Sequence, residues 1–148
     1  MGAIYGFKLV EGPCVVREFT SAAATTYDAG EIVSVATGSC AIGAAGGLCA
    51  GVALKDASGT TTNTPVIIIT PEQIWSCGYA ATTATTMEGV DYLVDFTTGA
   101  QHVTATTSTP TVTVVEIDPR DGAKEYGRLL VKFTQANCQF SGALVAAS

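Results

Sequence analysis

Apolar and polar positions alternate with a period of two along several short stretches of this chain, and no stretch sustains a helical period. Over residues 4–10 Tyr5, Phe7 and Leu9 fall on one side, the pattern of a first strand, which Gly12-Pro13 then ends. Over residues 90–96 Val90, Tyr92, Val94 and Phe96 oppose Asp91, Leu93 and Asp95, which predicts a strand with one wet face. Residues 14–19, 31–37, 50–54, 74–77, 112–117, 128–133 and 138–140 read as further short strands, rich in Val, Ile, Leu and aromatic residues. Between them stand turn formers such as Tyr27-Asp28-Ala29-Gly30, Pro71-Glu72-Gln73 and Asp118-Pro119-Arg120-Asp121-Gly122. The small, polar segments 20–26, 80–86 and 97–110 read as connectors, the last of them with a surface strand.

The densest apolar stretch is central. Val66, Ile67, Ile68 and Ile69 form a continuous β-branched run between Pro65 and Pro71, which predicts a strand buried on both faces. Residues 55–65 have loop chemistry throughout, so residues 50–54 and 66–70 are expected to pair as a long-looped hairpin. Trp75, the sole tryptophan, reads as a core or interface anchor beside that strand. The pattern as a whole gives roughly nine or ten short strands and an all-β class, barrel or sandwich.

Composition agrees with one β domain. The 148 residues are 47% hydrophobic and 14% charged, with 16 glycines, and a chain of this length buries about 70% of the surface it exposes unfolded. The expected organisation is a leading segment, residues 1–24, holding the first strands and a candidate docking arm, and one all-β domain over residues 25–148. A net charge of −6, with seven scattered Lys and Arg, argues against nucleic acid and anionic membrane as partners. No apolar run approaches the roughly 20 residues of a membrane span. The first twenty residues include Lys8, Glu11, Arg17 and Glu18 and lack an apolar core, so no cleaved signal is expected and synthesis is expected in a cytosol. Cys14, Cys40, Cys49, Cys77 and Cys138 lack metal-binding spacing. They read as buried thiols, with a Cys40–Cys49 disulfide across the glycine-alanine turn as the alternative.

The candidates for chemistry are few. His102 is the sole histidine and has no Gly-x-Ser-x-Gly partner. Asp91 and Asp95 share a strand face and could pair as carboxylates in a cleft, but a strand edge supplies none. Asp118, Asp121 and Gly122 lack the order of a calcium loop and read as a structural turn. The glycines between Gly38 and Gly51 lack the Lys-Ser/Thr ending of a phosphate loop and read as a hairpin loop. No cofactor or metal is implied, and the expectation is a protein that is not an enzyme.

At Tyr27-Asp28-Ala29-Gly30-Glu31-Ile32-Val33, and again at Ala50-Gly51-Val52-Ala53-Leu54 followed by residues 66–69, the chain resembles the small all-β decoration (cement) proteins of tailed-bacteriophage capsids. In that family an Ala-Gly turn leads into a strand, a Gly-Val-Ala strand precedes a variable loop, and an aliphatic strand returns. The likeness covers residues 25–80, with a similar order of later strands. It implies a barrel-like or tulip-shaped fold and a homotrimer at threefold or quasi-threefold capsid positions. It also implies the major capsid protein as partner, the outer surface of the virion as location, and no enzymatic activity. The leading segment and the cysteine count depart from the family pattern. Within this reading Tyr5, Phe7 and Leu9 are candidate capsid or subunit contacts on a docking arm of residues 1–13, the alternative being the first strand of the barrel. A rival function is a carbohydrate- or receptor-binding β-sandwich of a virion fibre, for which Trp75 with Tyr79 is the candidate aromatic cluster.

Overall fold

Turn chemistry cuts the chain into short extended pieces, and the computed structural model, which describes residues 6–44, 47–97 and 99–140, shows how they pair. In chain order the strands are β1 (Phe7–Glu11), β2 (Val16–Ser21), β3 (Thr26–Tyr27), β4 (Ile32–Ala36), β5 (Ser39–Ile42), β6 (Gly51–Ala53) and β7 (Ala57–Ser58). They continue with β8 (Asn63–Ile68), β9 (Ile74–Gly78), β10 (Asp91–Tyr92), β11 (Val94–Asp95), β12 (His102–Val103), β13 (Val112–Ile117) and β14 (Arg128–Phe133). Two single 3-10 turns, Thr85–Met87 and Gln135–Asn137, are the only helical pieces among the described residues. The class is all-β, as the sequence pattern predicts.

Two assemblies share the chain. Five strands close a barrel in the order β2-β5-β4-β6-β8, and five others form an antiparallel sheet in the order β1-β9-β14-β13-β10. The barrel closes because β2 pairs antiparallel with β8 along its length and parallel with β5 at Thr20–Ser39 and Ser21–Cys40. The β4–β5 hairpin turns on Thr37 and Gly38, with φ of +48° and +85°, the mirror-image turn whose twist matches paired strands. Ribbons β3–β7 and β11–β12 complete the pairing.

The barrel wall made of β4, β6 and β8 has two apolar faces. Ile32 stands opposite Val52 and Val52 opposite Ile67, and this row faces the large core with Trp75, Cys77, Leu129, Val131 and Phe133. The alternate residues Val33, Ala53 and Val66 face a second, smaller core with Tyr27, Cys40 and Ala57. A strand that separates two cores has no wet face, which is why residues 66–69 read as a continuous β-branched run. Val66 and Ile69 are fully buried, whereas Ile67 and Ile68 are only half-buried and β8 ends at Ile68. As core anchors Ile67 and Ile68 are therefore weaker than the sequence suggests.

The elements differ from expectation in several places. Among the described residues fourteen strands are present where the pattern gives roughly nine or ten, because several two-residue pairings carry no sequence signal. The stretch 90–96 breaks at Leu93, whose N–H donates to Thr106 O and whose O accepts from Thr104 N, so β10 and β11 join different sheets. The glycine-rich stretch from Gly38 to Gly51 is not one loop, since β5 lies within it. Residues 138–140 form no strand; Cys138 follows a 3-10 turn and makes a single parallel bridge to Cys49. Of the leading segment, β1 pairs into the sheet and β2 into the barrel.

Buried polar side chains fasten the parts together. Gln101, fully buried, receives Ile32 N–H at 2.6 Å on Oε1 and donates to Ile32 O at 3.2 Å, as a neighbouring strand would. Glu31 accepts N–H groups from Asp28 and Gly99, at 2.9 and 2.6 Å. Burial nevertheless pushes its carboxyl above the usual range. Gln73 makes four bonds: its Oε1 accepts from Thr70 N and Trp75 Nε1, and its Nε2 donates to Pro13 O and Ile68 O. A buried amide so completely satisfied costs little and fixes the corner between β8 and β9.

Candidate functional site

Each residue that the sequence singles out, Tyr5 excepted, has a definite place, and most turn out to be structural. Trp75 is fully buried, meets Phe133 edge-on at 6.1 Å between ring centres, and donates its indole N–H to Gln73 Oε1 at 3.1 Å. It is a core residue, so the aromatic cluster proposed with Tyr79 loses its tryptophan. Tyr79 instead pairs with Tyr92, both half-buried, at 6.3 Å.

Phe7 corrects the docking-arm expectation. It is 4% exposed, packs on Phe133 at 5.6 Å and sits opposite Cys77 in the antiparallel β1–β9 pair. Its side chain is committed to the core and is not available to a partner. Leu9 is half-buried against the same core, and Tyr5 lies outside the described residues. A strand whose apolar side is matched by a neighbouring sheet looks, in sequence, the same as one awaiting a partner. Phe140 is partly exposed and stacks nearly parallel on Phe19 at 6.1 Å.

The titratable candidates hold local structure. Asp91 accepts from Thr113 Oγ1 at 2.6 Å. Asp95 accepts from Thr97 Oγ1 and N at 2.6 and 2.8 Å, bonds that, with His102 nearby, hold its carboxyl below the usual range. The two aspartates belong to different sheets and do not converge. Asp95 faces His102 across β11–β12, and His102 Nδ1 lies 2.6 Å from Ala100 O.

The cysteines divide by environment. Cys14 is exposed and the other four are buried, all free. The Cys40–Cys49 alternative fails because the two thiols lie in different cores. Cys40 Sγ is 3.2 Å from Tyr27 Oη, whereas Cys49 sits opposite Cys138. Burial raises the Cys49 and Cys77 thiols to about 12 and that of Cys138 to about 11, so they stay protonated and unreactive at neutral pH.

One concavity was not foreseen in the sequence. A groove of about 700 Å³ lies on the outer face of the five-stranded sheet, within the size range of ligand sites. Ser76 and Leu130, opposite one another on β9 and β14, lie along it, with Lys8 beside Ser76 on β1. The turn at residues 118–120 also lines it. Asp118, 2% exposed, ties that turn by accepting Arg120 N at 3.0 Å, Nε at 3.1 Å and Nη2 at 2.7 Å. The guanidinium holds the Asp118 carboxyl below its usual range. Residues distant in sequence converge here through the β1-β9-β14 order, which no local pattern announces.

In comparisons with known proteins, no family model, no curated protein and no solved structure matches this chain.

Proposed function

We propose that this protein is a capsid decoration protein, which binds the outside of a tailed-bacteriophage shell and stabilises contacts between major capsid protein subunits. The observation that carries the reading is the adjacency of the segments on which the family resemblance rests. Residues 27–33 run from β3 through a turn into Ile32 and Val33, the first two residues of β4, while residues 50–54 contain β6 and residues 66–69 contain the second half of β8. Ile32 stands opposite Val52 and Val52 opposite Ile67. The β6–β8 pair is an ordinary hairpin, so the support lies in the pairing of Ile32 and Val33 with β6, which joins the first segment of the resemblance to the other two. The mechanical fit supports it too. A clamp needs rigidity and area rather than reactive groups, and a barrel wall shared by two cores is stiff, since neither face can move without opening packed side chains.

The functional unit in this reading is a homotrimer at threefold or quasi-threefold positions, without enzymatic activity. Purified protein added to shells assembled from the major capsid protein of the same virus should co-sediment at a fixed, saturable ratio. Electron cryomicroscopy of those shells should show three-lobed density at the threefold positions. Shells that stay bare in excess protein overturn the reading, and density from isolated single copies overturns the trimer.

A further inference from the structure

The outer groove of the five-stranded sheet gathers charge against the trend of the molecule. The chain carries −6 overall, with 7 cationic side chains, yet three of them, Lys8, Arg120 and Arg128, line this groove together with a single carboxylate, Asp118. Asp118 is already engaged by Arg120 and also feels the charge of Arg128, and Asp121 Oδ2 accepts the Arg128 backbone N–H at 3.1 Å, but neither carboxylate accepts from the Arg128 guanidinium. Lys8 is exposed, and among the described residues it has no carboxylate within ion-pair distance. Arg128 is half-buried, and its Nε donates to Ser76 Oγ at 2.7 Å. That bond tethers the Nε edge of the guanidinium to the groove wall, while neither Nη has an acceptor among the described residues. A guanidinium held by Nε, with both Nη groups unspent, is preorganised for two-point contact with a planar carboxylate. Leu130 supplies an apolar floor beside it, and a groove of about 700 Å³ accommodates several residues of extended chain.

We propose that this groove is a binding site for an acidic, extended peptide segment of a partner protein, with Arg128 as the carboxylate anchor and Lys8 as the flanking cation. Charge complementarity selects the occupant, because a local excess of cations in an otherwise acidic surface attracts carboxylates to this one face and repels them elsewhere. The site goes beyond the decoration reading and does not depend on it, since binding is read here with a peptide and not with a shell.

The test is fluorescence anisotropy with a labelled hexaglutamate peptide at low ionic strength, with hexaglutamine and inorganic phosphate as controls. Saturable binding is expected for hexaglutamate only, weakening as salt is added. Arg128→Ala should weaken it about tenfold, the loss of a charge-assisted contact, and Lys8→Ala by a few fold. Lys55→Ala, an exposed cation outside the groove, should change nothing. Melting curves by circular dichroism check that each variant is folded. If Arg128→Ala unfolds, Arg128→Lys, which keeps the charge and loses the fork, should still bind several-fold more weakly than the parent. Amide shifts on titration should centre on Lys8, Ser76, Arg128 and Leu130. Absence of saturable binding, equal binding of hexaglutamine, binding of phosphate without hexaglutamate, or an equal loss in Lys55→Ala would each overturn the proposal.

Discussion

The five-strand barrel and the five-strand sheet use the same number of strands and are filled by opposite means. The sheet covers a broad core in which Trp75, Phe133, Phe7 and Leu129 bury large side chains. The barrel core is narrow and holds Val33, Cys40, Ala53, Ala57 and Val66 around Tyr27. Barrels of about eight strands are just wide enough for side chains to fill them, so one of five has room only for small residues. The large core is held by area. The small one depends on exact fit and on one buried phenol, whose Oη lies 2.6 Å from Thr64 Oγ1 and 3.2 Å from Cys40 Sγ.

The largest effect should come from the sheet. Trp75→Ala removes a fully buried ring and the indole N–H that Gln73 Oε1 accepts, and should cost about 3–5 kcal/mol. Denaturant melts of the variant measure this. A variant that melts like the parent would mean that the large core is not what holds the sheet on the barrel.

In the barrel, addition should do what removal does in the sheet. A Cβ on Gly51 would overlap Val66 Cγ1 and Ile67 O, and the second of these is backbone, which cannot swing aside. Gly51→Ala is expected to destabilise by about 1–3 kcal/mol, although alanine is ordinarily the better residue in regular structure. Equal or greater stability of the variant would show that the barrel has slack.

The same contrast decides what the sequence could tell. Strands β13 and β14 are legible to the residue, because a long, strongly apolar run with turn residues at both ends leaves little choice of boundary. The pairing of β6 with β8 is legible too, but not its bounds: β8 begins at Asn63, three residues inside the stretch that reads as loop, because Asn63, Thr64 and Pro65 pair with β2, and β7 lies within that stretch as well. The role of Tyr27 is not legible. Next to Asp28-Ala29-Gly30 it reads as part of a turn, and only the closure of the barrel brings Thr64 and Cys40 to its hydroxyl. Gln101 was hidden in a Thr-rich connector for a like reason, since its partner, the Ile32 backbone, is 69 residues away. The groove is the extreme case. Lys8, Ser76 and Arg128 carry no shared motif and meet only through strand order.

Tyr27 offers a smaller and more specific break in the comparison. Tyr27→Phe keeps the ring but leaves the Thr64 hydroxyl without its close partner, an expected loss of about 1–3 kcal/mol. Burial first, then the bond to Cys40, raises the phenol from about 10 to about 12. A folded-state value above the unfolded one means that the contribution is complete below pH 10 and is lost as pH rises from about 10 towards 12. Parent stability should therefore fall across that window, and the fall should be shallower in Tyr27→Phe. Identical alkaline profiles would show that Tyr27 titrates alike in both states.

The smallest effect leaves stability untouched and asks which region opens first. Cys14 is exposed and should react with a thiol reagent at once in native buffer, while the four buried thiols stay protected. Cys40 belongs to the small core and Cys77 to the large one, so the two report separately on barrel and sheet. Local opening is easiest where the least apolar area is packed, which places Cys40 ahead of Cys77. In pulsed labelling at denaturant concentrations below the main transition, read by mass spectrometry, Cys40 should become modified at lower denaturant than Cys77. Coincident labelling would mean that the shared wall of β4, β6 and β8 couples the two cores into a single cooperative unit, and earlier labelling of Cys77 would make the sheet the weaker of the two.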